Sequence, residues 1–261
     1  RIVVNDNGFT LASDAGGVGS LSAGSASGTL TFGRSVAGSA DINVGAALNG
    51  NITVEKDVGL IYSGTSAAPA AGTNPNTIII NDGARLETKE TAKTNGTLKV
   101  SGNADLAGQH TGDVENTDTG NVTLTGSVTV PGTVTGNVSN AGVFTVTKNA
   151  KIDGSVTNTG KVNQWFELDG GTITGTLDNS GYTYITAKGG TINGNLQNRQ
   201  DGTIFLGQDD TNVLDVKGRL TSSGTIERYN TWYPLIIKAD TILLGSTHVS
   251  GSGVVLEGTE V

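Results

Sequence analysis

Residues 134–142 read Val-Thr-Gly-Asn-Val-Ser-Asn-Ala-Gly. The same skeleton returns at 152–160 as Ile-Asp-Gly-Ser-Val-Thr-Asn-Thr-Gly and at 173–181 as Ile-Thr-Gly-Thr-Leu-Asp-Asn-Ser-Gly. A fourth copy begins Ile192-Asn-Gly194-Asn-Leu196-Gln-Asn198, and a fifth runs from Val216 through Gly218, Leu220 and Ser222 to Gly224. A stretched earlier copy passes through Gly112, Val114, Asn116 and Gly120. The Asn position falls at 140, 158, 179 and 198, then at Ser222, so the period drifts around 20 residues. A closed sandwich turns every 8–12 residues or so without a fixed motif. A drifting period near 20 residues suits short strands wound into coils, each stacked on the one before.

That geometry gives each position a task. Strand side chains alternate between faces, so Val134, Val138, Ile152, Val156, Ile173, Leu177, Ile192 and Leu196 are expected to point inward in columns. The Gly between two inward residues marks a corner. The Asn of Asn-x-Gly is expected to accept a left-handed turn and to bond its own backbone. Stacked at one level per coil, these Asn residues are also placed to form a hydrogen-bonded ladder. The pattern continues more loosely in "GNITVEKDVGLIY", "TIIINDGARLET" and "GTLKVSGNADLAG". Segment 63–76, with two Pro and many small residues, reads as a loop insertion. The expected fold is all-β, a parallel β-helix with coils of about 20 residues. No linker interrupts it, so 1–261 reads as a single domain.

Composition agrees. Of 261 residues, 40 are Gly, 37 Thr and 23 Asn, while charged residues are 15% and aromatics 5%. Strong helix formers are scarce, and β-branched and turn residues abound. A net charge of −8 argues against nucleic acid and anionic membrane surfaces, which need a cationic footprint. With no Cys, disulfides and thiolate metal sites are excluded. No stretch approaches the roughly 18 apolar residues of a spanning helix, so this segment is not expected to insert in a membrane. A chain that opens on Arg1 and contains no Met reads as a piece of a longer secreted protein.

The stretches "GGTITGTLDNSGYTYI", "GGTINGNLQN" and "NAGVFTVTKNAKIDGSVTNTG" resemble the passenger regions of bacterial autotransporters and of filamentous-haemagglutinin-type adhesins. The resemblance covers roughly residues 45–250 and is one of repeat style. It implies a right-handed β-helix, export, display at the bacterial surface and fusion to an outer-membrane translocation domain. It also implies a role in attachment, through a host-surface glycan or protein or through self-association. Toxins and proteases use the same repeat, and β-helices also serve as polysaccharide lyases and tailspike-like glycosidases. The sequence therefore leaves open a polysaccharide-degrading enzyme and the binding part of a secreted toxin.

Chemistry is thin. The Gly-Asp-Ser-Gly motif of serine-protease passengers is absent, and the two histidines, His110 and His248, read as surface or loop residues. The outward positions beside the repeat Gly are mainly neutral: Asp113, Asn137, Ser155, Thr176, Asn195 and Arg219 in one column, Glu115, Ser139, Thr157, Asp178, Gln197 and Thr221 in the next. Acid/base catalysis needs paired groups within reach, and these columns do not supply them. Asp113/Glu115/Asp118 and Asp209/Asp210/Asp215 offer oxygen ligands of the kind calcium takes, but neither carries the Gly-Gly-x-Gly-x-Asp calcium repeat, and they read first as loop carboxylates. No catalytic residue, cofactor or metal site is assigned, and the chain is expected not to be an enzyme.

The aromatics are more informative. If Phe166 and Leu168 face in, Trp165 faces out; the same alternation turns Tyr184 and Phe205 outward. Trp165, Tyr184 and Phe205 thus form an expected exposed strip, suited to sugar stacking or a protein interface. Tyr229, Trp232 and Tyr233, beside Pro234, read as packing or a loop cap.

Overall fold

The computed structural model describes residues 2–4, 8–11, 20–22, 29–34, 38–45, 47–65, 76–185, 189–207, 213–228, 235–251 and 253–260. Of the expected loop 63–76, residues 66–75 lie outside the described residues, as do Asp209, Asp210, Tyr229, Trp232 and Tyr233. The chain divides into two units, Arg1–Thr135 and Gly136–Val261. The fold is an all-β parallel solenoid with coils of roughly 21 residues.

In the second unit the opening repeat supplies the coil directly. Lys151–Asp153 leads into Gly154, then Val156–Asn158, then Trp165–Asp169, after which the next coil begins at Thr172–Ile173. Two strands and the Gly corner between them belong to one bent sheet, and the third strand belongs to a second sheet. All pair in parallel with their counterparts one coil on: Ile152 with Ile173, Val156 with Leu177, Phe166 with Thr183. Val143–Thr147, Trp165–Asp169, Tyr182–Ile185, Thr203–Leu206, Thr225–Arg228 and His248–Ser250 stack as six rungs of the second sheet. Farther along, the corner straightens: Val213–Ser222 is one ten-residue strand, with a register shift between Val216 and Arg219.

The first unit follows the same plan. Thr77–Ile80, Thr97–Val100 and Val114–Asn116 stack in the bent sheet, with Lys93–Asn95, Gln109–Thr111 and Thr133–Thr135 beside them. Its second sheet also has six rungs, from Gly8–Leu11 to Asn121–Leu124.

The expected inward columns are inward. Val134, Val138, Ile152, Val156, Ile173, Leu177, Ile192 and Leu196 are all buried. The repeat glycines stack with almost no room. A Cβ on Gly154 would lie 2.0 Å from the Gly136 carbonyl oxygen, and one on Gly194 would lie 2.5 Å from that of Gly175. In the first unit Gly112, at φ +133°, would place a Cβ 2.1 Å from the Gly96 carbonyl oxygen. No other residue fits so close a backbone stack.

Two expectations need correction. The repeat Asn residues do not adopt left-handed backbone; among the described non-Gly residues only Asp57, Asn149 and Asn163 have positive φ. Each instead ends a strand, as in Val156–Asn158, with its side chain buried. The reason is alternation: Asn140 lies two residues after inward Val138, so it too faces in. His110 is likewise no surface residue; it is 2% exposed, inside the column of Thr94 and Val134. His248 is exposed.

Candidate functional site

The buried Asn residues form a continuous ladder, and that ladder seats the aromatic face. Asn140 Nδ2 donates to Asn158 Oδ1 at 2.8 Å, Asn158 to Asn179 at 2.8 Å, and Asn179 to Asn198 at 2.9 Å. Asn198 Nδ2 ends the run on Ser222 Oγ at 3.2 Å. The second N–H of each amide reaches the first residue of a strand in the second sheet. Asn158 donates to the carbonyl of Tyr182 (3.0 Å), Asn179 to Thr203 (3.2 Å) and Asn198 to Thr225 (3.0 Å), while Asn140 shares its second N–H between the Gly142 carbonyl (3.0 Å) and, more weakly, that of Trp165 (3.4 Å). Buried polar groups are costly unless paired. Here pairing them fixes where each outward-facing strand begins.

On that foundation the alternation holds. Phe166, Leu168, Ile204 and Leu206 are fully buried, and Phe144 stacks on Phe166 at 5.6 Å between ring centroids. Thr183 occupies the same inward column and receives Asn158 Nδ2 at 3.3 Å. Trp165, Tyr184 and Phe205 are therefore turned out, each half-buried.

The structure brings Tyr184 and Phe205 together as vertical neighbours, with rings stacked at 5.3 Å and 17°. Trp165 stands in the adjacent column, whose next residue is Tyr182. Tyr182 lies outside the strip expected from the sequence. It also stacks on Phe205, at 5.8 Å, so the strip is a two-column patch. Alternation alone would have found Tyr182, since it lies two residues before Tyr184.

A slot of about 300 Å³ opens on the Trp165 side of the two tyrosines. It is lined by Val162, Asn163, Trp165, Glu167, Tyr182 and Tyr184. Val162 is 77% exposed and forms the lip. Asn163, at φ 69°, turns the chain back toward Trp165. Glu167 sits in register with Tyr184, and its carboxylate accepts a hydrogen bond from Thr145 Oγ1 at 3.0 Å. Glu227 follows Phe205 in the same column. Burial, then the charge of Glu227, then Tyr184, hold the Tyr182 phenol above its ordinary pKa. The patch thus joins aromatic surface to negative charge.

The bent sheet's outer face is different in kind. Ser139, Thr157, Asp178, Gln197 and Thr221 stack as one column. Its one carboxylate, Asp178, is paired with Arg199 Nε at 2.6 Å. Among the described residues, no group of three or more His, Asp or Glu is placed to hold a metal ion. What fold and site define is a parallel β-solenoid with a polar lateral face and an aromatic one. No family model, curated protein or solved structure matches the chain.

Proposed function

We propose that this chain is a secreted or surface-displayed bacterial adhesin, without enzymatic activity, that attaches through the lateral face of its solenoid. The observation that carries this reading is the gathering of Trp165, Tyr182, Tyr184 and Phe205 on one face. Aromatic residues are only 5% of the sequence, and here four meet on three consecutive rungs. Half-buried rings anchored on rigid strands provide contact area at small entropic cost. Such a face suits a host-surface glycan or protein, or a second solenoid. The repeat's resemblance to autotransporter passengers supports surface display, with translocation by an outer-membrane domain.

The spacing of carboxylates favours binding over hydrolysis. Glu167 and Glu227 are separated by three coil steps in one column, about 14 Å along the stack. Glycoside hydrolases hold their two carboxyl groups roughly 5–9.5 Å apart.

The test is attachment. Cells or beads displaying the chain are compared with the same particles displaying a Trp165→Ala/Tyr184→Ala/Phe205→Ala variant, for adhesion to host cells and for aggregation. Wild-type particles are expected to bind, and the folded variant to lose most of that binding. Equal adhesion and aggregation by both would sink the lateral-face reading.

A further inference from the structure

We infer that the slot between Trp165 and the Tyr182–Tyr184 pair takes a methylated or quaternary ammonium group, the part of the ligand that seats in the aromatic face. This rests on the lateral-face reading above and names its ligand class. Three aromatic side chains on two successive rungs line one opening, and a fourth wall is the Glu167 carboxylate. A cation set against aromatic rings is held by their quadrupoles, most strongly by Trp. A carboxylate at the same site adds charge attraction without demanding a hydrogen-bond donor, which a quaternary ammonium lacks.

The walls are also pre-organised. Tyr182 and Tyr184 are both backed by the Phe205 ring, at 5.8 Å and 5.3 Å. The Trp165 and Tyr182 carbonyls are tied to the Asn ladder beneath. Rigid walls spare the ligand the cost of ordering them. Glu227, farther along the same column, extends the negative field, and the chain as a whole carries −8. A neutral sugar would seek several directed hydrogen bonds for its hydroxyls. The slot offers aromatic surface and an apolar lip, with Asn163, Glu167 and the phenols as its polar groups. The observations favour the cation.

The measurement is calorimetric titration of the full chain with choline and with its uncharged isostere 3,3-dimethylbutan-1-ol. Choline is expected to bind at least tenfold more tightly than the isostere. Trp165→Ala and Tyr184→Ala are expected to lose tenfold or more, and Glu167→Gln several-fold, with thermal melting confirming that each remains folded. Equal binding of choline and isostere, or no choline binding, overturns the proposal. If a neutral methyl glycoside binds at Trp165 where choline does not, the ligand class is wrong while lateral-face attachment stands. Phosphocholine vesicles and a trimethyl-lysine peptide identify the carrier: capture of at least one is expected, and capture of neither overturns the proposal.

Discussion

The two units place different side chains at equivalent positions of the bent sheet. In the first, the inward column at the end of the strand reads Phe32, Val54, Ile80 and Val100, each in register with the next and each buried, and it turns polar only at its last member, Asn116. In the second, it reads Asn140, Asn158, Asn179 and Asn198. One fold thus accepts an apolar column or a polar ladder at the same level. The ladder is tolerable because its amides bond one another along the column and also reach carbonyls of the neighbouring sheet. The first unit shows the opposite case at His110. Its Nδ1 shares a 2.9 Å hydrogen bond with Thr94 Oγ1, while Nε2 is buried without a partner. From Asn140 to Asn198 each amide satisfies the next, whereas the His110 ring leaves one nitrogen unmatched.

The largest effect should come from a feature both units share. Gly154→Ala, in the second unit, and Gly112→Ala, in the first, each drive a Cβ into backbone. Each is expected to cost about 3 kcal/mol or more, read as the shift in urea or thermal unfolding. A small effect at either position would show that the corner yields, and the close-stacking account would fail there.

The lone histidine comes next. Burial lowers the His110 pKa from 6.5 to about 4, against a weaker opposing pull from Asp113. The unfolded chain takes up a proton at the ordinary value, whereas the folded chain does not until about pH 4. Stability is therefore full above about pH 6.5 and is lost as the pH falls through about 4. The loss amounts to about 3 kcal/mol. His110→Val, which copies the next residue in the column, should flatten that slope. An unchanged pH dependence in the variant would remove His110 from the account.

Breaking the ladder at one rung should cost about 2 kcal/mol. Asn158→Val strips the donor from Asn179 Oδ1 and from the Tyr182 carbonyl, and the acceptor from Asn140. Replacing Asn140, Asn158, Asn179 and Asn198 together by Val, as in the first unit, should cost well below the sum of the four single changes. Strict additivity would refute the ladder as one cooperative object. The smallest effect, a barely measurable shift in the unfolding midpoint, is expected for Arg199→Ala, since its pair with Asp178 is solvent-facing.

Most of the fold was legible because the repeat repeats. Val134, Gly136 and Val138 recur in phase, and each copy confirms the last. The misreadings came from letting residue type override phase. Asn favours turns as a residue type, yet two-residue alternation from Val138 puts Asn140 inside. His110 lies two residues before Gly112, the place held by Val134, Ile152, Ile173 and Ile192 before their own glycines. Extending the motif one step back would have buried it. The aromatic patch was half legible. Facing follows from alternation, but the lateral offset of Trp165 from Tyr184 depends on inter-coil register, and the coils differ in length.

The amide ladder also has a direction. Every Nδ2 of Asn140, Asn158, Asn179 and Asn198 points toward the following rung, so the four carboxamide dipoles lie head to tail. Aligned dipoles polarise one another, and a member flanked on both sides gains more than one at the end. The row behaves like a line of bar magnets closed by the Ser222 hydroxyl. Removing a magnet from the middle leaves two short lines, while removing the last only shortens one. Asn158, flanked by Asn140 and Asn179, is consequently an interior rung that holds the aromatic face through the Tyr182 carbonyl.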